Sequence, residues 1–212
     1  MTTSTASTST SASVPTASTL GEEILLLSLD DSSGEARLPL RTPYAIATAA
    51  LLERALSDDA ADAEFPEDIG KWIHEHSKRE YETALRGVLD KGLIREEKRR
   101  VLLVFRTTRY PEADGTVEAA LRGRLARVVL EGAEPDTRTA ALISLLHHGD
   151  LHTLAFPDAG TEKSPARRRM AEIAGRHWAD PALRRMAETA AAAAAALAAA
   201  AMVTTVVILT VT

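Results

Sequence analysis

Residues 20–31 read Leu20-Gly21-Glu22-Glu23-Ile24-Leu25-Leu26-Leu27-Ser28-Leu29-Asp30-Asp31. This stretch decides the fold. Ile24 to Leu27 are apolar without interruption, so a helix built from them is hydrophobic around most of its girth and belongs inside other elements. Thr19-Leu20-Gly21-Glu22 has the form of a capping box, with Thr19 as N-cap and Glu22 reaching back to it. Asp30-Asp31-Ser32-Ser33-Gly34 ends the run as a turn, and the adjacent acids at 30 and 31 are read as turn chemistry rather than a catalytic pair.

N-terminal to this stretch, residues 1–19 are almost wholly Ser, Thr and Ala, and none is charged. Such a segment lacks the apolar surface to offset the entropy of ordering, so residues 1–19 are expected to form a disordered tail. With no basic and no apolar region it is not a signal peptide. Residues 20–212 are expected to form a single domain, for which the remaining length suffices.

C-terminal to it, helices are expected at 43–57, with Pro43 in the first turn, and at about 67–91, with a break near His76. Gly92 suits the position just past a helix end. Leu93-Ile94-Arg95 and Val101-Leu102-Leu103-Val104-Phe105 flank Glu96-Glu97-Lys98-Arg99-Arg100, which reads as a β-hairpin with a charged tip. Helices follow at 114–131, at 135–148 opened by Pro135 with Asp136 adding first-turn charge, at 162–175, and from about Pro181. Residues 189–212 carry no charge. They read as a buried core helix; a membrane span with Arg184 and Arg185 at its cytoplasmic flank is the alternative.

Composition closes several functional classes. No cysteine is present, which removes disulfides, thiolate metal sites and cysteine nucleophiles and fits a reducing compartment. The formal charge is −5, against the basic field of a sequence-blind nucleic-acid binder, so no nucleic-acid partner is expected. Aromatic residues make up 4 % of a chain that is 45 % apolar, which favours packed helices over a β-sandwich. No phosphate-cradling glycine loop and no nucleophile elbow is found, so neither catalysis nor a cofactor is expected. His148 and His152 stand at i, i+4, but no acid has the companion spacing and Gly149 falls between them. The six histidines are read as ordinary surface side chains and no metal is expected.

Two features remain for function. The apolar run 101–105 gives a strand two hydrophobic faces, one for the core and one for a partner chain or a membrane. Cations cluster at Lys98, Arg99 and Arg100, with others at Arg37, Arg41, Lys78 and Arg79, and a basic face can attract an anionic surface.

The order and spacing of these elements resemble the Golgi phosphoprotein 3 family across about 19–200. The resemblance rests on Leu20 to Asp31, Ala50-Leu51-Leu52-Glu53-Arg54-Ala55-Leu56, Leu89-Asp90-Lys91-Gly92-Leu93-Ile94, Phe105-Arg106-Thr107-Thr108-Arg109-Tyr110-Pro111, Leu121 to Leu130, and Pro135 to Leu146. It implies a mainly α fold: a compact helical domain with a hydrophobic central helix bundle ringed by amphipathic helices, and one projecting β-hairpin used for self-association and membrane contact. It implies a cytoplasmic, peripherally membrane-associated adaptor that binds anionic lipid, with phosphatidylinositol 4-phosphate as the lipid of the eukaryotic members, and a membrane-protein client. Where the family pocket has a Trp this chain has Leu38, and Ala47 stands for an Arg. Lys78 and Tyr81 stand for two more Arg. Lys78, Arg79, Tyr81, Arg41 and Arg37 are the expected phosphate-binding residues. Arg99, Arg100, Leu102, Leu103, Val104 and Phe105 are the expected hairpin residues for membrane insertion or homo-oligomer formation. The alternative is a soluble homo-oligomeric scaffold of the same fold without lipid binding.

Overall fold

A computed structural model describes residues 18–30, 33–57, 66–101, 105–113, 115–176 and 188–200, with 99–101 and 105–107 described by backbone alone. The expectations for 1–17, for Pro181 with Arg184 and Arg185, and for 201–212 lie outside the described residues. The fold is mainly α with one two-stranded antiparallel hairpin.

Helix α1, Leu20–Ser28, is buried along its whole length, as an apolar run in helical geometry requires. The capping box is complete: Thr19 Oγ1 accepts from the Glu22 amide at 3.2 Å, and Glu22 Oε2 accepts from the Thr19 amide at 2.8 Å. Helix α2, Thr42–Leu56, and helix α3, Ile69–Asp90, pack on α1 and on each other. Asp68 caps α3 by accepting from the Lys71 amide at 2.9 Å. Helix α3 runs through His76 without the expected break. The His76 ring lies parallel on Trp72 at 4.5 Å, and its Nδ1 stands 2.9 Å from the Trp72 carbonyl, so the side chain is satisfied within the helix.

Helices α4, Thr116–Val129, and α5, Thr137–His148, follow the hairpin. Asp136 is the N-cap of α5 rather than a first-turn residue, and its carboxylate accepts from the Thr139 amide at 2.7 Å. Partial burial works against its charge, but that bond and the field of Arg124 hold its pKa below the ordinary value. A short helix α6, His152–Ala155, and a 3-10 turn, Pro157–Gly160, lead to α7, Pro165–Arg176, which packs on α5. Residues 188–200 form α8, whose Ala190 and Ala194 pack on Ala47, Leu51 and Ile73. This part of the tail is a helix with one face buried on the core and the other exposed. Among the described residues no helix is long and apolar enough to cross a membrane.

The hairpin differs from the expected register. Strand β1 is Glu97–Val101 and β2 is Phe105–Arg109, so the charged segment is strand, and residues 102–104 lie outside the described residues. Leu93 and Ile94 are not strand. The Leu93 amide donates to the Val88 carbonyl past the end of α3, and Ile94 is buried in the core, bridging Glu112 across the hairpin root. The sequence reading assigned the apolar residues to strands, whereas the core claims Ile94.

Buried charge orders the helices around α1. Glu22 and Glu23 are 4 % and 7 % exposed. Lys91 Nζ meets Glu22 Oε2 at 2.5 Å, and Arg124 meets Glu23 at 2.9 Å. Arg138 stands 3.7 Å from Glu23, 2.7 Å from Glu53, and also donates to the Ser18 carbonyl. Glu53 in turn accepts from the Leu20 amide at 2.9 Å. Helix α3 reaches Glu22 closely because position 87 is glycine: a Cβ there would collide with Glu22 Oε1 and stand 3.1 Å from Cδ. Gly87→Ala is expected to cost about 2 kcal/mol in urea unfolding, because loss of the Glu22 bonds outweighs alanine's gain of about 1 kcal/mol in helix propensity. A stability gain would show that Glu22 has room to move.

Candidate functional site

The hairpin stands on the exit of α1. Gly34 adopts φ +64°, and a Cβ there would run into the Tyr110 and Pro111 backbone. Its carbonyl accepts from the Tyr110 amide at 2.9 Å, and Glu35 pairs with Arg109 at 2.8 Å. Arg95 and Pro111, then Leu93 and Ala113, add backbone bonds at 2.9 and 2.8 Å across the root. Beyond the root the strands pair with each other.

Register places Lys98 opposite Thr108, Arg100 opposite Arg106, and Val101 opposite Phe105. Positions 98, 100, 106 and 108 therefore share one face of the ribbon. Residues 95–109 hold six cations (Arg95, Lys98, Arg99, Arg100, Arg106, Arg109) and two acids (Glu96, Glu97), an excess of four positive charges in a chain of net charge −5. Of the expected insertion residues, Leu102, Leu103 and Val104 lie outside the described residues, while Arg99, Arg100 and Phe105 are placed by backbone register alone.

The five expected phosphate ligands do not form one constellation. Arg37 Nη2 donates to the Leu27 carbonyl at 2.7 Å, placing a cation on the C-terminal turn of α1. Arg41 pairs with Asp150. Lys78 stands 3.9 Å from Glu82, both exposed, and Arg79 bonds Glu80 at 2.8 Å. Tyr81 packs against the core, where burial raises its pKa and Tyr110 adds to the shift. Among the described residues no hydrogen bond or ion pair links any two of the five. They divide by energetics: exposed pairs such as Lys78–Glu82 are worth about 0.3–0.5 kcal/mol and can exchange partners, whereas Arg37 and Arg41 are built into helix junctions. Leu38, which the sequence reading set against the family's Trp, adopts φ 50° and packs on the core. Ala47, which the sequence reading set against a family Arg, is fully buried against α8.

Sequence reasoning missed the surroundings of Asp150. His152 is 2 % exposed, not a surface side chain. Its Nε2 lies 3.0 Å from His147 Nδ1, and its Nδ1 lies 3.4 Å from Asp150 Oδ1. Those partners assign the proton on His152 to Nδ1 and that on His147 to Nδ1. Arg167 stands 3.6 Å from the same carboxylate. The i, i+4 spacing of His148 and His152 concealed this pairing, because α5 ends at His148 and Asp150 turns the chain with φ 53°. Among the described residues no group of three His, Asp or Glu is arranged to hold a metal.

Among the described residues two clefts stand near the elements named above. One, of about 260 Å³, lies between α1 and α4 and is lined by Leu26, Val117, Leu121 and Arg124. The other, of about 480 Å³, opens beside Trp72 with Glu67, Asp68 and Glu75 in its wall, an unfavourable lining for an anion. None of the five expected phosphate ligands lines either cleft.

Burial holds the pKa of His147 down to about 4, assisted by the charges of His148, His152 and Arg167 and opposed by Asp150. The folded state therefore binds this proton more weakly than the unfolded chain does. Its contribution is complete above pH ~6.5 and is lost as pH falls from there toward 4. The ceiling is near 3 kcal/mol, reduced to about 2 by partial solvent contact of the ring. The stability difference between pH 7 and pH 4.5 should shrink by about that amount in His147→Gln. Equal acid losses in both proteins would remove His147 from the acid limb.

The family described as Golgi phosphoprotein 3 (GPP34) matches the chain over residues 54–190, which include the hairpin and the cations Lys91, Arg124 and Arg138. No curated protein matches the chain.

Proposed function

The chain belongs to the Golgi phosphoprotein 3 family, and on that premise we propose that it is a non-catalytic peripheral membrane adaptor whose hairpin contacts anionic lipid. The observation that carries this reading is the pairing of Arg100 with Arg106 on a ribbon with an excess of four positive charges. Like charges directly opposite each other destabilise a two-stranded ribbon. An anionic surface relieves that repulsion, at about 1 kcal/mol per basic residue brought near it. In sequence, the apolar residues Leu102, Leu103 and Val104 directly follow Lys98 to Val101, and apolar insertion with basic flanks is how peripheral elements hold a bilayer.

Headgroup selectivity for phosphatidylinositol 4-phosphate rests on Lys78 and Arg79, the two expected ligands that are themselves exposed, paired with the exposed Glu82 and the partly buried Glu80. Lysine meets phosphate as a point charge without the bidentate fork of arginine. The engagement of Arg37 and Arg41 in helix junctions favours a second reading, a soluble homo-oligomeric scaffold joined through the hairpin. A membrane-protein client would belong to either reading.

Flotation of the purified protein with liposomes containing phosphatidylinositol 4-phosphate, and with liposomes of equal charge containing simple anionic lipid, at two salt concentrations, separates these readings. Binding to both sets should weaken with salt. Lys98→Glu/Arg100→Glu/Arg106→Glu should weaken it about 100-fold or more, since three cations contribute about 3 kcal/mol. Lys78→Glu/Arg79→Glu should remove any preference for the phosphoinositide and leave binding to simple anionic lipid intact. Failure of the native chain to float with either set overturns the lipid reading and leaves the scaffold.

Self-association is checked by mass in solution. Leu102→Asp/Phe105→Asp should reduce an oligomer to a monomer of 22.7 kDa with helicity unchanged. An unchanged mass would place the oligomer interface elsewhere.

A further inference from the structure

Thr108 is an exposed hydroxyl on the cationic face of the ribbon. Register sets it directly opposite Lys98, and it shares that face with positions 100 and 106. Lys98 Nζ stands 3.5 Å from Glu96 with both side chains exposed, so it can change partners.

The neighbouring residues set Thr108 apart from the other hydroxyls of the chain. It is the one Ser or Thr with an arginine two positions before it, Arg106, and Arg109 follows it directly. A basic-directed protein kinase reads such an arginine by pairing its own carboxylates with the guanidinium while the hydroxyl is presented for transfer. The substrate segment enters such an enzyme extended. Thr108 already lies in a strand, and beyond the root β1 and β2 form a sheet of two strands, which opens at little cost.

We propose that Thr108 is a phosphorylation site, and that its phosphate releases the ribbon from anionic lipid. The donor is ATP: its γ-phosphoryl passes to Thr108 Oγ1, the kinase's catalytic carboxylate takes the hydroxyl proton, and ADP leaves. The product carries a charge of about −2 and three acceptor oxygens on the face shared by positions 98, 100 and 106. It relieves from within the chain the repulsion between Arg100 and Arg106 that a lipid surface would relieve from outside. The ribbon's excess of four positive charges falls to about two. Neutralising a basic patch in this way is how an electrostatic membrane contact is released. The consequence for lipid rests on the reading proposed above; the site and its effect on the ribbon do not.

In the full-length chain, ATP and the catalytic domain of a kinase of this specificity should place a phosphate at Thr108, located by mass spectrometry of the peptides. Thr108→Val should remove that phosphate, and Thr107→Val should retain it. A product without phosphate at Thr108 overturns the site. Amide exchange of the ribbon should slow about threefold in the phosphorylated chain, and Lys98→Gln should abolish the slowing. Flotation with simple anionic liposomes should weaken about thirtyfold, the effect of cancelling two cations at the surface. Unchanged flotation of a phosphorylated chain whose native form floats overturns the release. If the native chain does not float, the lipid reading fails and exchange decides alone: slowing upholds the phosphate's seat on the ribbon, and unchanged exchange overturns it.

Discussion

The structure depends on the enclosure of two carboxylates at the start of its central helix. Burying a charge costs several kcal/mol unless a partner of opposite sign and further hydrogen bonds meet it. Here each surrounding helix sends a residue for that purpose: Lys91 from the end of α3, Arg124 from α4, Arg138 from α5, and Glu53 from α2 to take the Leu20 amide. Burial still raises the pKa of Glu23, so Arg124 and Arg138 restrain the desolvation of that group without abolishing it. The leucines of α1 would accept many packings of apolar helices. The carboxylates accept only those that bring these partners, so the buried charges specify the arrangement that the apolar surface stabilises.

The same helix sets the place of the hairpin. The exit turn of α1 presents Gly34 and Glu35 to Tyr110 and Arg109, and Ile94 is drawn into the core at the other strand's root. The ribbon beyond this anchor owes little to its own pairing. It can therefore hold Arg100 opposite Arg106, an arrangement that a hairpin responsible for its own stability would not tolerate. Stability resides in the bundle, and the element the bundle carries sets Arg100 opposite Arg106 in its register.

Local patterns were legible in the sequence. The apolar run of α1, its capping box and the helix boundaries follow from signals within four residues of each other. Signals between distant residues were not. Glu23 with Arg124 and Arg41 with Asp150 join segments about a hundred residues apart, and no periodicity announces them. The hairpin register was misassigned because hydrophobicity marks burial, and here the buried residue is the root and the strands are charged. His147 and His152 escaped for a related reason: helical spacing relates residues on one helix, and a left-handed Asp150 ended that helix between them.

The positions expected to bind phosphate fall into two physical classes, and this bears on how the family scaffold serves this chain. Ala47 lies under the alanine face of α8, where a guanidinium would have to be desolvated against Ala190 and Ala194. Leu38 turns into the core and its carbonyl starts α2 by accepting from the Arg41 and Thr42 amides at 3.0 and 3.1 Å. Arg41 then spends its charge on Asp150. With alanine at 47 the last helix packs closely, and that packing leaves no room for a longer side chain there. Lys78 and Arg79 lie outside this closed junction, on the exposed face of α3. The hairpin cations likewise stand outside it. The proposed lipid contact therefore rests on surfaces the bundle leaves open, where charge is exchangeable and salt-sensitive.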